Sequence, residues 1–79
     1  LFNYQTIMIL DKEKIQKEVG KRVKSLRESK NISQVELADL CGFEKSNMAR
    51  LESGGTNPTL FTLTKIAYHL NVSICDIIK

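Results

Sequence analysis

Ser33-Gln34-Val35-Glu36-Leu37-Ala38-Asp39-Leu40-Cys41-Gly42-Phe43-Glu44-Lys45-Ser46-Asn47-Met48-Ala49-Arg50-Leu51-Glu52 is the stretch whose reading decides the fold. Ser33 with Glu36 three residues on forms a capping box, which satisfies two amides that the start of a helix leaves without partners. The helix it opens runs through Leu37, Ala38 and Cys41 and stops at Gly42. A glycine there accepts a left-handed backbone at little steric cost, so the chain can turn sharply. Phe43 supplies an apolar side chain to pin the turn. Beyond it, Met48 and Leu51 give the next helix one narrow buried stripe and leave its N-terminal face free. Ala38 is small where that second helix must cross the first. Each residue alone carries little weight, but four demands of a tight helix–turn–helix junction are met together.

The same signals organise the rest of the chain. Asp11 reads as an N-cap, followed by a long amphipathic helix with Ile15, Val19, Val23 and Leu26 spaced by four, four and three. Lys30 and Asn31 suit its end. The third helix is expected from Phe43 to Ser53, closed by Gly54-Gly55. Thr59 caps a fourth helix that places Leu60, Leu63, Ile66, Ala67 and Leu70 on one side, and Asn71 ends it. Ser73 and Asp76 make a further capping box, and Ile74, Ile77 and Ile78 begin a last short helix. The expected architecture is all-α, a compact bundle of five helices over residues 11–79. Residues 1–10 do not share the pattern. An ordered arm is the reading taken for them, with a packed extension or an extraneous tail left open; the chain opens on Leu1, and Met8 is either internal or a start.

Seventy-nine residues leave room for one domain. A hydrophobic content of 42% with 27% charged residues excludes a disordered chain. The net charge of +3 is compatible with a nucleic-acid partner without requiring one. Eight of the twelve Lys and Arg fall between Lys12 and Lys30, interleaved with Glu13, Glu18 and Glu28, a run that by itself reads as a solvated helix face. Cys41 and Cys75 are too few and too distant for a metal cluster; both fall at apolar positions and are expected to be small buried hydrophobes in a reducing cytoplasm. The longest apolar stretch, Ile7 to Leu10, is far too short to span a membrane. His69 is the single histidine and stands beside Tyr68 with no catalytic motif around it. No phosphate loop, metal spacing or nucleophile elbow is present, so neither an enzyme, a cofactor nor a small-molecule substrate is expected.

Two helices joined by a compact turn can lay the second in the major groove of DNA. At this level the chain resembles the helix-turn-helix family of the lambdoid phage repressors, the Cro-type proteins and their many bacterial (XRE-like) relatives. The resemblance rests on Arg22-Val-Lys-Ser-Leu-Arg27, on Ile32-Ser-Gln-Val-Glu-Leu-Ala38, and on the run from Gly42 to Gly54. It continues through Asn57-Pro58-Thr59-Leu60 and from Leu63 to Ser73, covering residues 20 to 78.

The resemblance implies a recognition helix over residues 44–53 that acts on double-stranded DNA. Lys45, Ser46 and Arg50 would reach base edges, with Asn47 beside them; Arg and Lys can donate to guanine O6 and N7. Gln34, at a helix start, would clamp the phosphate backbone. Arg27 and Glu52 match a salt-bridged pair between the first and third helices and are structural first, Arg27 with a secondary phosphate role; Ala38 and Gly42 are structural as well. Three departures qualify this. Glu44 stands where relatives have Ser or Thr, and its carboxylate can cap the helix, weaken binding to a polyanion or read cytosine N4. The loop Gly55-Thr56-Asn57 has no basic residue, so Thr56 and Asn57 would contact phosphate through backbone amides, helped by Lys45, Arg50 and Lys24. Val35 and Leu40 are apolar where relatives are often polar. The function so implied is that of a transcriptional regulator, a repressor by preference, working in a bacterial or phage-infected cytoplasm as a homodimer on a palindromic operator. A protein-interaction or antitoxin module on the same fold is the rival reading; fourth-to-fifth-helix residues Tyr68, Asn71 and Val72, or the N-terminal arm, are the dimer candidates.

Overall fold

Five helices follow one another in the computed structural model, which describes residues 11–78: α1 Lys12–Ser29, α2 Gln34–Cys41, α3 Lys45–Glu52, α4 Leu60–Leu70 and α5 Cys75–Ile78. The arm expected at residues 1–10 lies outside the described residues. Apart from α3, the helices start at the caps the sequence signals. Asp11 Oδ1 accepts from the Lys14 amide at 3.2 Å, and Thr59 Oγ1 from that of Thr62 at 3.1 Å. The box at α2 is reciprocal, with the Glu36 amide donating to Ser33 Oγ at 3.0 Å and the Ser33 amide to Glu36 Oε1 at 2.9 Å. At α5 the Ser73 amide donates to Asp76 Oδ2 at 3.1 Å while Ser73 Oγ accepts from the Cys75 amide at the same distance.

The ends of the first four helices also share one device. Asn31, Gly42, Gly54 and Asn71 take left-handed backbone angles, with φ between 57° and 84°. Each lets two successive amides turn back onto the last carbonyls, as when Gly42 donates to Asp39 at 3.1 Å and Phe43 to Ala38 at 2.8 Å. That second bond explains why α3 starts later than expected. Phe43 is held in the turn, Glu44 is extended at ψ 147°, and the helix begins at Lys45.

α2 and α3 pack on each other; α1 crosses α3, α4 supports α2, and α5 closes against α1. Their shared core holds Val19, Val23, Leu37, Ala38, Cys41, Met48, Leu51, Leu63, Ile66, Ala67, Leu70 and Ile77. Each large aliphatic side chain fully removed from water there contributes about 1.5–3 kcal/mol. Leu26, Ile32, Phe43, Val72 and Ile74 line its edge.

Three expectations about burial are corrected. Ile15 is 49% exposed, because it lies one turn before Val19, the first α1 residue to reach the core. Leu60 is 67% exposed: as the first residue of α4 it sits at the edge of the apolar stripe, ahead of the turn that meets α2. Cys75 is exposed, two residues before the buried Ile77 and so on the opposite side of a single-turn helix, whereas Cys41 is buried as expected.

Candidate nucleic-acid interface

α3 is divided lengthwise. Met48, Leu51 and Glu52 are buried, while Lys45, Ser46, Asn47 and Arg50 all face solvent. The inward side is held hard against α1 at one point. A Cβ placed on Gly20 would stand 2.5 Å from the Leu51 carbonyl oxygen and 2.6 Å from that of Glu52, so only glycine lets α1 cross α3 this closely. Sequence reasoning missed Gly20, although a glycine inside a helix costs about 1 kcal/mol relative to Ala and is a signal in itself.

On the outward side, Arg50 Nη2 donates to Asn47 Oδ1 at 2.6 Å, one helical turn away. The bond fixes one edge of the guanidinium and leaves Nη1 and Nε uncommitted. Glu44 is exposed at the helix start and its side chain makes no capping bond. The capping role read for it is therefore set aside.

Behind the outward face lies a small polar network. Arg27 Nε donates to Glu52 Oε2 at 2.7 Å and Nη2 to Oε1 at 3.0 Å, while Nη1 donates to the Ile32 carbonyl at 2.8 Å. Hydrogen bonding to Glu52 holds the guanidinium above its ordinary pKa against the opposing effect of burial. Each of the three Arg27 nitrogens thus donates internally and the residue is buried, as the structural role expected of it requires. Gln34 Nε2 donates to Glu52 Oε1 at 2.9 Å, which the sequence did not signal. That nitrogen carries a second N–H, so Gln34 is oriented from behind at the first residue of α2, where free backbone amides gather.

The loop after α3 is held from two sides. The Gly55 amide donates to the Arg50 carbonyl at 2.8 Å. The Gln16 side-chain amide, oriented to satisfy both acceptors, donates to the Gly54 and Thr56 carbonyls at 3.2 Å each. Gln16 was also unforeseen, and nothing local in the sequence marks it. Thr56 is half-buried and Asn57 exposed. Gln34, Lys45, Ser46, Asn47, Arg50, Thr56 and Asn57 thus belong to α3 and the two elements that flank it, and Ala38 and Gly42 hold the junction beneath them.

A profile of the helix-turn-helix family matches residues 23–77. The chain belongs to the helix-turn-helix family. It is 33% identical over 60 residues to the immunity repressor protein of Bacillus phage phi105, a match covering 76% of this chain and 42% of the repressor. It spans 38% and 56% of the length of two further curated relatives. Among solved structures it is similar to the restriction-modification controller protein C.AhdI from Aeromonas hydrophila, at 31% identity and a TM-score of 0.76, covering 78% of this chain and 94% of that one. It is also similar to the biofilm master regulator SinR in complex with DNA, at 34% identity and a TM-score of 0.72, covering 77% and 98% of the two chains. The family is one of DNA-binding transcription regulators, and no helix among the described residues is long and apolar enough to cross a membrane.

Proposed function

We propose that this chain is the sequence-reading domain of a bacterial or phage repressor, which docks α3 in the major groove of an operator. The observation that carries this is the outward set on α3: Lys45, Ser46 and Arg50 project to solvent from a helix whose other side is buried. Lys45 and Arg50 donate to guanine edges, with Asn47 holding Arg50 in position. Gln34 donates to one phosphate beside α2, and the backbone amides at Thr56 and Asn57 to another beyond α3. Two cations on the reading face favour a polyanion over a protein partner. The names of the immunity repressor and of the SinR–DNA complex support the same reading.

One helix of this length reads only a few base pairs, so a homodimer on a palindromic site is part of the proposal, in the cytoplasm where the DNA is. Tyr68 on α4, 76% exposed, with Asn71 and Val72 after it, is the surface assigned to the second copy. The test is selection of bound sequences from a random duplex pool. An inverted repeat with half-sites about 10 base pairs apart is the expected product. A pool that yields no enriched sequence, or binding indifferent to salt, overturns the reading.

A further inference from the structure

Between Gly54 and Thr59 the chain carries no lysine or arginine, although the docking proposed above sets this loop against phosphate. We propose that Lys17, on α1, supplies the cationic phosphate contact that the side chains of this loop lack, beside the loop's backbone amides, and that Lys21 and Lys24 continue a basic flank from it. The proposal rests on the DNA-binding reading above and adds a contact surface to it.

Three observations carry it. The first is proximity. A Cβ on Gly54 would stand 2.7 Å from Lys17 Cα and 2.6 Å from Lys17 Cγ, so the loop and the lysine stem are in direct contact. Gly55, next in the loop, lies beside the reading residue Arg50, where its Cβ would be 3.9 Å from that of Arg50. Lys17, the loop and the reading face are therefore continuous, and the bonds from Gln16 to Gly54 and Thr56 keep them so.

The second is pattern. Lys14, Lys17, Lys21 and Lys24 recur at three, four and three residues, which draws one stripe along α1, and all four are exposed. The third is that none of the four lysines is held in an ion pair among the described residues. Arg22 is engaged with Glu18 at 3.7 Å and with the Ile77 carbonyl at 3.2 Å, and Arg27 is paired with Glu52. Among the described residues, no carboxylate lies within ion-pair distance of the four lysines. A lysine is a mobile point charge on a long stem, which suits a phosphate that passes at variable height.

The test is a salt titration of duplex binding with the selected operator and with an unrelated duplex. Lys17→Gln keeps the stem that packs on Gly54 and removes the charge. Its slope of log K against log salt should be shallower than wild type by about 1 per protomer, about 2 for the proposed dimer, with the same several-fold loss on both duplexes and an unchanged preferred sequence. Lys17→Arg should restore the slope. Lys12→Gln makes the same charge change on α1 away from the stripe and should leave the slope at its wild-type value. A Lys17→Gln slope equal to wild type, in a variant whose helical melting transition is intact, overturns this proposal alone. An equal loss in Lys12→Gln overturns it too, since net charge would then account for the effect. Wild-type protein that retains neither duplex at low salt removes the DNA-binding reading itself, and this contact with it.

Discussion

Arg27 and Glu52, twenty-five residues apart, meet through two parallel N–H···O bonds with side chains only 9% and 2% exposed. The pair ties α1 to the last residue of α3, and the same carboxylate accepts from Gln34. One buried anion thus sets the relation among the first three helices. Two ions taken from water gain little net stability together, but one left alone is costly.

Glu52→Gln or Arg27→Met should therefore each destabilise the fold by about 3–5 kcal/mol. Replacing both, as Arg27→Met with Glu52→Leu, should recover most of that loss. Chemical denaturation of the three variants checks this, and a double variant as unstable as either single one would contradict it. The double variant should still bind DNA less well, since Gln34 has lost the oxygen that orients it.

Gly20→Ala gives an opposite sign to the usual helix rule. Alanine at an open helical site stabilises by about 1 kcal/mol over glycine. Here the added methyl would collide with two α3 carbonyls at 2.5 and 2.6 Å, backbone atoms that cannot rotate away. Overpacking of this kind costs about 1–3 kcal/mol, so the melting temperature should fall. A rise would mean that α1 does not cross α3 as described.

Most helix limits were legible because they are local. Asp11, Ser33 with Glu36, Gly42, Thr59 and Asn71 act on amides and carbonyls within a few residues, and each does so here. The divided character of α3 was legible for the same reason, from the spacing of Met48 and Leu51. What escaped was tertiary. The Gln34–Glu52 bond, the grip of Gln16 on the loop and the contact of Lys17 with Gly54 join residues from 18 to 40 positions apart, and no period or cap encodes them. Ile15 and Leu60 were misplaced because a stripe gives direction on a helix and says nothing of where along it the core ends.

The two cysteines should separate chemically. Burial pushes the Cys41 thiol above its ordinary pKa, although Lys65 nearby pulls the other way, and Cys41 is almost wholly enclosed. Cys75 is exposed. Under native conditions a thiol reagent should therefore modify Cys75 quickly and Cys41 only at the rate of unfolding. Mass-resolved labelling reads this directly, and fast modification of both would place Cys41 outside the core.

Stability should also carry a pH signature from α2. Hydrogen bonds from Ser33 hold the Glu36 carboxyl below the ordinary value of 4.5. A carboxyl depressed on folding stabilises the protein fully above its unfolded pKa, and the benefit is lost as pH falls through the lower folded value. The stability gap between wild type and Glu36→Ala should accordingly be open at neutral pH and narrow as the solution is acidified through and below 4.5. A gap independent of pH would show that the charged carboxylate is not what closes the box.

Arg50 and Gln34 occupy different parts of the interface, and their losses should differ in kind. In the proposed docking Arg50 donates to a base edge, so Arg50→Ala should relax the preferred sequence at the position it reads, by about 1–3 kcal/mol of discrimination. The contact proposed for Gln34 is one that any phosphate can satisfy, so Gln34→Ala should weaken every duplex by a similar factor and leave the preference intact. Asn47→Ala sharpens the distinction. It frees the Arg50 guanidinium from its 2.6 Å partner without removing the charge, and should blur the same position that Arg50→Ala abolishes while leaving the salt dependence nearly unchanged. Repeating the pool selection with each variant separates the three effects. An unchanged preferred sequence for Arg50→Ala would place the base-reading side chain elsewhere on α3, with Lys45 and Ser46 as the remaining outward residues of its first turn.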